Sequence, residues 1–248
     1  MMMITKSALK FIKSLQLKKN RIEHQCFLVE GTKSVQELLT SDFEIDLIAG
    51  VSSYLEEYAD NIKGLNINEI KTNDISTVSS FKNNNSVIAV AKMREKSEVE
   101  ISTTNYVLAL DDVRDPGNLG TIIRIADWYG INQIIASTTT ADFYNPKVIS
   151  ASMGSFSRVK MYYGDLQSML QPYEGKIYGA LMDGVALPEV TFATGGVIVM
   201  GNESVGISHE IRELVSERIT IPRYGLAESL NVGIATAVIC DRMRSNVV

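Results

Sequence analysis

Three short segments concentrate the residue types that chemistry needs. The first reads Asp111-Asp112-Val113-Arg114-Asp115-Pro116-Gly117-Asn118-Leu119-Gly120 and runs on to Arg124. The second is Gly201-Asn202-Glu203-Ser204-Val205-Gly206, and the third extends from Ile221-Pro222 through Ser229, Leu230 and Asn231 to Val232. An arginine can grip a phosphate with two parallel donors. Carboxylate and amide side chains can orient a substrate or pass on a proton, and glycines let a ligand approach the backbone. Taken alone, each segment is best read as a strand-to-helix connection, with Asn118 and Ser229 as helix caps and Glu203 set against a helix dipole. Together, each at the carboxyl end of an apolar run, they point to one shared site where open α/β sheets bind ligands.

Other chemistries lose support. The chain has neither G-x-x-x-x-G-K-[ST] nor G-x-G-x-x-G, which speaks against ATP hydrolysis and a conventional dinucleotide fold. Gly201 and Gly206 are spaced wrongly for a G-x-S-x-G nucleophile elbow. Two cysteines, Cys26 and Cys240, and two histidines, His24 and His209, lie far apart and form neither a disulfide framework nor a metal-ligand spacing. No metal is expected.

The elements that must position these segments follow from composition and periodicity. With 248 residues, 45% hydrophobic and 21% charged, the chain suits one large or two modest globular domains. Disordered, collagenous and low-complexity classes are excluded. No apolar run approaches the roughly 20 residues of a membrane span. Met1-Met2-Met3-Ile4 is followed by lysines and no apolar stretch, unlike a signal peptide, so a cytoplasmic location without membrane partners is expected. Ala8, Phe11, Ile12 and Leu15 recur at helical spacing, and strands are expected at Cys26–Val29, Ile45–Ala49, Leu65–Ile70 and Ser86–Ala91. Segment Lys92–Thr104 is polar and lacks core periodicity. The expected organisation is therefore a domain over 1–95, a linker over 96–104 and a domain over 105–248.

In the second domain Tyr106–Leu110 is a continuous apolar strand, and further strands are expected at Gln133–Ala136, Arg158–Tyr162, Ile177–Met182, Val197–Met200 and Arg218–Ile221. Continuous rather than alternating strands fit a parallel sheet covered on both faces. Helices are expected near Asn118–Tyr129 and over Ser229–Arg244. The latter carries Gly233, Ala235, Thr236 and Ala237 and must pack closely, with a second subunit as one candidate partner. Net charge is −5, but residues 1–33 hold seven basic and two acidic side chains against an acidic remainder. A cationic arm on an acidic body can grip a polyanion, and reads equally as a solvated helix face.

At the three segments the chain closely resembles the SpoU/TrmH family of RNA ribose 2′-O-methyltransferases, within the SPOUT superfamily. The family's first motif is similar to Asp115-Pro116-Gly117-Asn118-Leu119-Gly120-Thr121-Ile122-Ile123-Arg124, its second to Gly201-Asn202-Glu203 with Gly206, and its third to Ile221-Pro222 followed by Ser229-Leu230-Asn231-Val232. Asn145-Pro146-Lys147 and Ala151-Ser152-Met153-Gly154-Ser155 are similar to the segment between the first two motifs. The first 95 residues resemble an L30-like substrate-binding domain through Lys19-Asn20-Arg21 and Phe27-Leu28-Val29-Glu30-Gly31. Arg223 stands where relatives often carry an apolar residue, and Ser150 where many carry arginine.

The resemblance implies an α/β fold class: a SPOUT-type parallel sheet with a C-terminal trefoil knot, preceded by a smaller L30-like domain. It implies S-adenosylmethionine as methyl donor, held at Gly201, Ile221 and Leu230, and transfer to a ribose 2′-hydroxyl. Arg124 would be the catalytic arginine, as proton acceptor or as anchor of phosphate and alkoxide. Asn118, Glu203, Ser229 and Asn231 would position it, with Glu203 pairing with Arg124 or moving a proton. Lys18, Lys19 and Arg21 are the expected RNA contacts. Structured RNA is the expected partner, ribosomal in preference to transfer RNA, with a homodimer through the catalytic domain. A non-catalytic ribosome-assembly factor on the same fold is the alternative.

Overall fold

The computed structural model describes residues 2–81, 84–95 and 99–245. It divides into two compact units, Met1–Glu95 with Asp142–Ser157, and Lys96–Ala141 with Arg158–Val248.

The first unit is built on a mixed five-stranded sheet. In chain order its strands are β1 (Met2–Met3), β2 (Cys26–Glu30), β3 (Ile45–Gly50), β4 (Ile67–Glu69) and β5 (Val87–Lys92), arranged β1-β4-β3-β5-β2. Strand β5 runs antiparallel to β2 and β3, while β4 is parallel to β1 and β3. Helices α1 (Lys6–Ser14), α2 (Lys18–His24), α3 (Thr32–Leu39), α4 (Ser52–Glu57) and α5 (Thr72–Val78) complete this part of the chain. Alternation along β2 sends Cys26 and Leu28 into a core with Ile12, Leu15, Ile75 and Val90. Phe27, on the opposite face, meets the rings of Phe43, Tyr144 and Phe156 at 5.2, 4.8 and 6.2 Å. The segment 142–157 is thus bound to this sheet by aromatic packing.

The second unit carries a six-stranded sheet: β6 (Tyr106–Leu110), β7 (Gln133–Ser137), β8 (Lys160–Gly164), β9 (Ile177–Ala186), β10 (Gly196–Met200) and β11 (Glu217–Thr220). The order is β11-β9-β10-β6-β7-β8, and every pairing is parallel. Strands β6 and β10 are buried throughout, as continuous apolar runs require. The chain moves from β6 to β7 on one side and later returns to β10 on the other, so the order reverses beside β6. Helices α6 (Pro116–Trp128), α8 (Leu166–Leu170), α9 (His209–Arg212) and α10 (Val232–Ser245) belong to this unit, and α7 (Pro146–Ala151) to the first.

Two local expectations change. Asp115, not Asn118, caps α6, accepting from the Asn118 backbone N–H at 2.8 Å. Helix α10 starts three residues later than expected, capped by Asn231, whose Oδ1 accepts from the N–H groups of Gly233 and Ile234 at 2.9 and 3.3 Å. Gly233 of α10 packs against α6 of the same chain, since a Cβ there would stand 3.1 Å from Thr121 Cγ2, while Ala235 lines the cleft. Of the expected linker, residues 96–98 lie outside the described residues, while Val99 and Ile101 pack on the core of the second unit.

Candidate active site

The first and second motif loops follow β6 and β10, which are neighbours, so both emerge at the carboxyl end of the sheet beside the strand-order reversal. The third loop enters α10, whose first turn lies against that of α6. Asn118 ties the three together. Its side-chain amide donates to Glu203 Oε1 at 2.7 Å, and its Oδ1 accepts from Asn231 Nδ2 at 2.8 Å. A carboxylate only accepts, so the orientation of every amide in this chain is set. The Asn118 NH₂ must face Glu203, Asn231 must turn its NH₂ to Asn118, and the Asn231 oxygen is left for the N-terminus of α10.

A cleft of about 690 Å³ opens beside this relay. Gly201, Ile221 and Leu230 line it, together with Glu203 and Ser229. Its walls are largely apolar, with Ile219, Val232 and Ile239 among them, and its volume is that of a site for a nucleoside-sized molecule. Gly201 is indispensable for a reason internal to the chain. A Cβ there would fall 2.3 Å from the carbonyl carbon of Gly206 and 2.4 Å from the Ile207 nitrogen. The second loop folds back on itself through reciprocal backbone hydrogen bonds between Asn202 and Gly206, with Gly206 at φ +74°.

Arg124 lies on the exposed face of α6, outside the cleft lining, and no hydrogen bond or ion pair engages its side chain among the described residues. Glu203 is therefore Asn118's partner and not that of Arg124. Ser229 lines the cleft without a side-chain hydrogen bond among the described residues. Arg223 also lines it and reaches the Ala227 carbonyl at 3.4 Å, within its own loop.

In the first unit Lys18 and Lys19 are exposed. Arg21 is not a surface cation. It is 2% exposed, donating to the Leu15 and Gln16 carbonyls at 2.9 and 2.8 Å and pairing with Asp142 Oδ2 at 2.6 Å. Its charge closes the α1–α2 corner and fastens the 142–157 segment, so it is unavailable to a phosphate.

Residues that sequence reasoning passed over also reach the site. Between Arg218 and Ile219 the β9–β11 register jumps from Gly179 to Val185, so residues 180–184 are looped out and bring Met182 and Asp183 to the cleft wall. Asp183 lies between Arg218 at 3.1 Å and Arg212 at 3.6 Å. Gly184 permits the detour, since its Cβ would meet the Ile219 backbone at 2.5 Å. Asp183-Gly184, just past the expected strand end at Met182, was the local signal in the sequence. Among the described residues no group of three or more His, Cys, Asp or Glu side chains could hold a metal ion.

A ligand cleft at strand ends beside a reversal of strand order is a property of open parallel sheets, and the second unit is of that class. Within it, the chain belongs to the SpoU rRNA Methylase family, whose profile matches residues 105–241. The MRM3-like substrate binding domain matches residues 6–89. The chain is 31% identical over 94% of its length, and 94% of the relative's, to a Bacillus subtilis protein named 23S rRNA (guanosine(2553)-2′-O)-methyltransferase RlmP. It is 29% identical over 57% of its length, and 65% of the relative's, to the tRNA (guanosine(18)-2′-O)-methyltransferase of Escherichia coli K12. Among solved structures, the AdoMet-bound rRNA methyltransferase of Sinorhizobium meliloti superimposes with a TM-score of 0.88 at 29% identity, covering 100% of this chain and 98% of that one.

Proposed function

We propose that this chain is an S-adenosylmethionine-dependent methyltransferase acting on a ribose 2′-hydroxyl of ribosomal RNA. The observation that carries the reading is the Glu203–Asn118–Asn231 relay, which joins all three motif loops at the mouth of one cleft. The residues present fit the donor. Gly201 offers backbone, Ile221 and Leu230 offer apolar surface for a purine, and the volume is adequate. When bound, the donor supplies an electrophilic methyl group on a sulfonium.

The chain's own residues do the rest. Asn118 and Asn231 lock the second and third loops in one arrangement, so the methyl and the ribose oxygen can meet in line. Arg124, exposed and unengaged, keeps all five of its donors for an RNA phosphate and for the alkoxide that develops at the 2′-oxygen. A guanidinium almost never releases its proton, which favours this anchoring role over that of a base. Glu203 and Ser229, at the cleft wall, orient the nucleotide beside the donor.

The wider reading follows the family. The second unit threads a C-terminal trefoil knot, and the first is an L30-like domain that selects the RNA. Exposed Lys18 and Lys19 contact phosphates there, with Lys6, Lys10 and Lys13 on the solvent face of α1 adding charge. Ribosomal RNA is favoured over transfer RNA because the rRNA relative matches along nearly the whole chain and the tRNA relative along little more than half. The enzyme works in the cytoplasm as a homodimer through the second unit, whose α10 leaves Ile234 and Val238 half exposed one turn apart, with Trp128 of α6 80% exposed. Incubation with methyl-labelled donor and ribosomal RNA tests the reading. Label in 2′-O-methylnucleosides after digestion supports it, and label on a base or no label refutes it.

A further inference from the structure

Two consecutive aspartates at the end of β6 hold the two ends of the second motif loop. Asp111 Oδ2 accepts from the Ser208 N–H at 2.7 Å, after the loop. The Asp112 carbonyl accepts from Asn202 Nδ2 at 2.9 Å, near its start. Asn202 passes the constraint on, since its Oδ1 accepts from the N–H groups of Ser204 and Val205 at 2.8 and 3.2 Å. Those two residues follow Glu203, so the loop from Gly201 to Gly206 is shaped from Asp112 outward.

Asp112 pays for this with backbone strain. Its φ of 62° lies in the left-handed region, which non-glycine residues seldom adopt and which survives only where the surroundings over-determine it. They do so here. The Asp112 N–H donates to Ser137 Oγ at 2.9 Å, its carbonyl takes Asn202, and its carboxylate takes Arg114 Nε at 2.8 Å and Asn202 Nδ2 at 3.3 Å. The left-handed turn sends the Asp111 carboxylate to one end of the loop and the Asp112 carbonyl to the other. The Arg114 pair is the dispensable contact, because that arginine is 69% exposed and surface pairs contribute little.

We infer that Asp112 is a positioning residue for the donor-binding loop, acting through its left-handed backbone carbonyl, held by Asn202, and not through its charge. The inference rests on the reading of the cleft as the donor site. Glycine and asparagine enter the left-handed region readily, whereas a β-branched residue does not.

Calorimetry of S-adenosylmethionine binding to the full chain, with the KM for RNA measured alongside, tests it. Asp112→Gly, Asp112→Asn and Arg114→Ala keep donor affinity within about threefold, whereas Asp112→Val and Asn202→Ala weaken it about tenfold or more, the RNA KM remaining unchanged. Asn202→Ala carries the test if Asp112→Val does not fold. Equal losses for Asp112→Gly and Asp112→Val, a tenfold loss for Arg114→Ala, or full affinity in Asn202→Ala would overturn the inference. A flat series on a wild type that binds the donor sinks this inference alone. A wild type that binds no donor sinks the reading of the cleft and this inference with it.

Discussion

Asn118 donates from its side-chain amide to Glu203 at 2.7 Å, joining residues 85 positions apart, while the oxygen of the same amide accepts from Asn231, 113 positions away. One side chain is the crossing point of all three motif loops. Replacement by aspartate keeps the acceptor for Asn231 but sets a second carboxylate against Glu203. Two carboxylates in contact raise the pKa of one of them, so they share a proton at low pH. Asn118→Asp is expected to lower kcat about 100-fold at pH 8 and to recover part of it as pH falls and the shared proton returns. Asn118→Ala, which has no such pair, shows no recovery. Methylation rates across pH 5–8 distinguish the two.

Arg124 is exposed, and no hydrogen bond or ion pair engages its side chain among the described residues. Arg124→Ala should leave unfolding free energy within about 0.5 kcal/mol of wild type, as at an ordinary surface position. Donor affinity stays unchanged, and methyl transfer falls about 100-fold or more. Urea melts and single-turnover assays on the same preparation would reveal a stability effect, should one exist.

Gly201→Ala forces a methyl group into backbone atoms of Gly206 and Ile207. Backbone cannot rotate away as a side chain can. A loss of about 1–3 kcal/mol is expected, as for overpacking in a core, and donor binding is lost with it. Scanning calorimetry with and without donor checks both, since a variant that has lost the loop shows no rise of Tm on adding donor.

Arg21 and its lysine neighbours should separate cleanly. Arg21→Ala strands the Asp142 carboxylate and two carbonyls, so about 3–5 kcal/mol of stability is expected to disappear. Lys18→Ala and Lys19→Ala cost almost nothing in a melt, and each reduces the salt slope of RNA binding by about one. An unaltered slope in the double lysine variant would remove α2 from the RNA interface.

Both cysteines are buried, and burial pushes the Cys240 thiol up to about 12 and the Cys26 thiol above its usual range. A protonated thiol is a poor nucleophile. A colorimetric disulfide reagent should therefore find no reactive thiol in the native chain at pH 8 and two in denaturant.

Much of this site is legible in the amino-acid sequence. Continuous apolar runs give a parallel sheet because both its faces are covered, and the Pro-Gly and Gly-Asn-Glu loops end those strands where a ligand can sit. What was hidden depends on partners far along the chain. Asp115 and Asn118 are both competent caps, and only Glu203 and Asn231 decide that Asn118 faces outward. Arg21 stands in a run of lysines and looks solvated, yet Asp142 draws it inward from 121 positions away. Gly233 is one of several small residues in α10, and only Thr121, 112 positions earlier, shows which of them α6 approaches. The detour in β9 is set by β11 against Gly184, a contact that no local pattern records.

The chain crosses between its two units three times, at 95–96, 141–142 and 157–158. Severing it near residue 100 would therefore not release two self-sufficient halves. The longer piece would keep Tyr144 and Phe156 but lose Phe27, the ring that shelters them. A truncated enzyme would carry an orphaned, sticky aromatic strap in its middle, and its poor behaviour in the test tube would say nothing about whether the cleft can hold its donor.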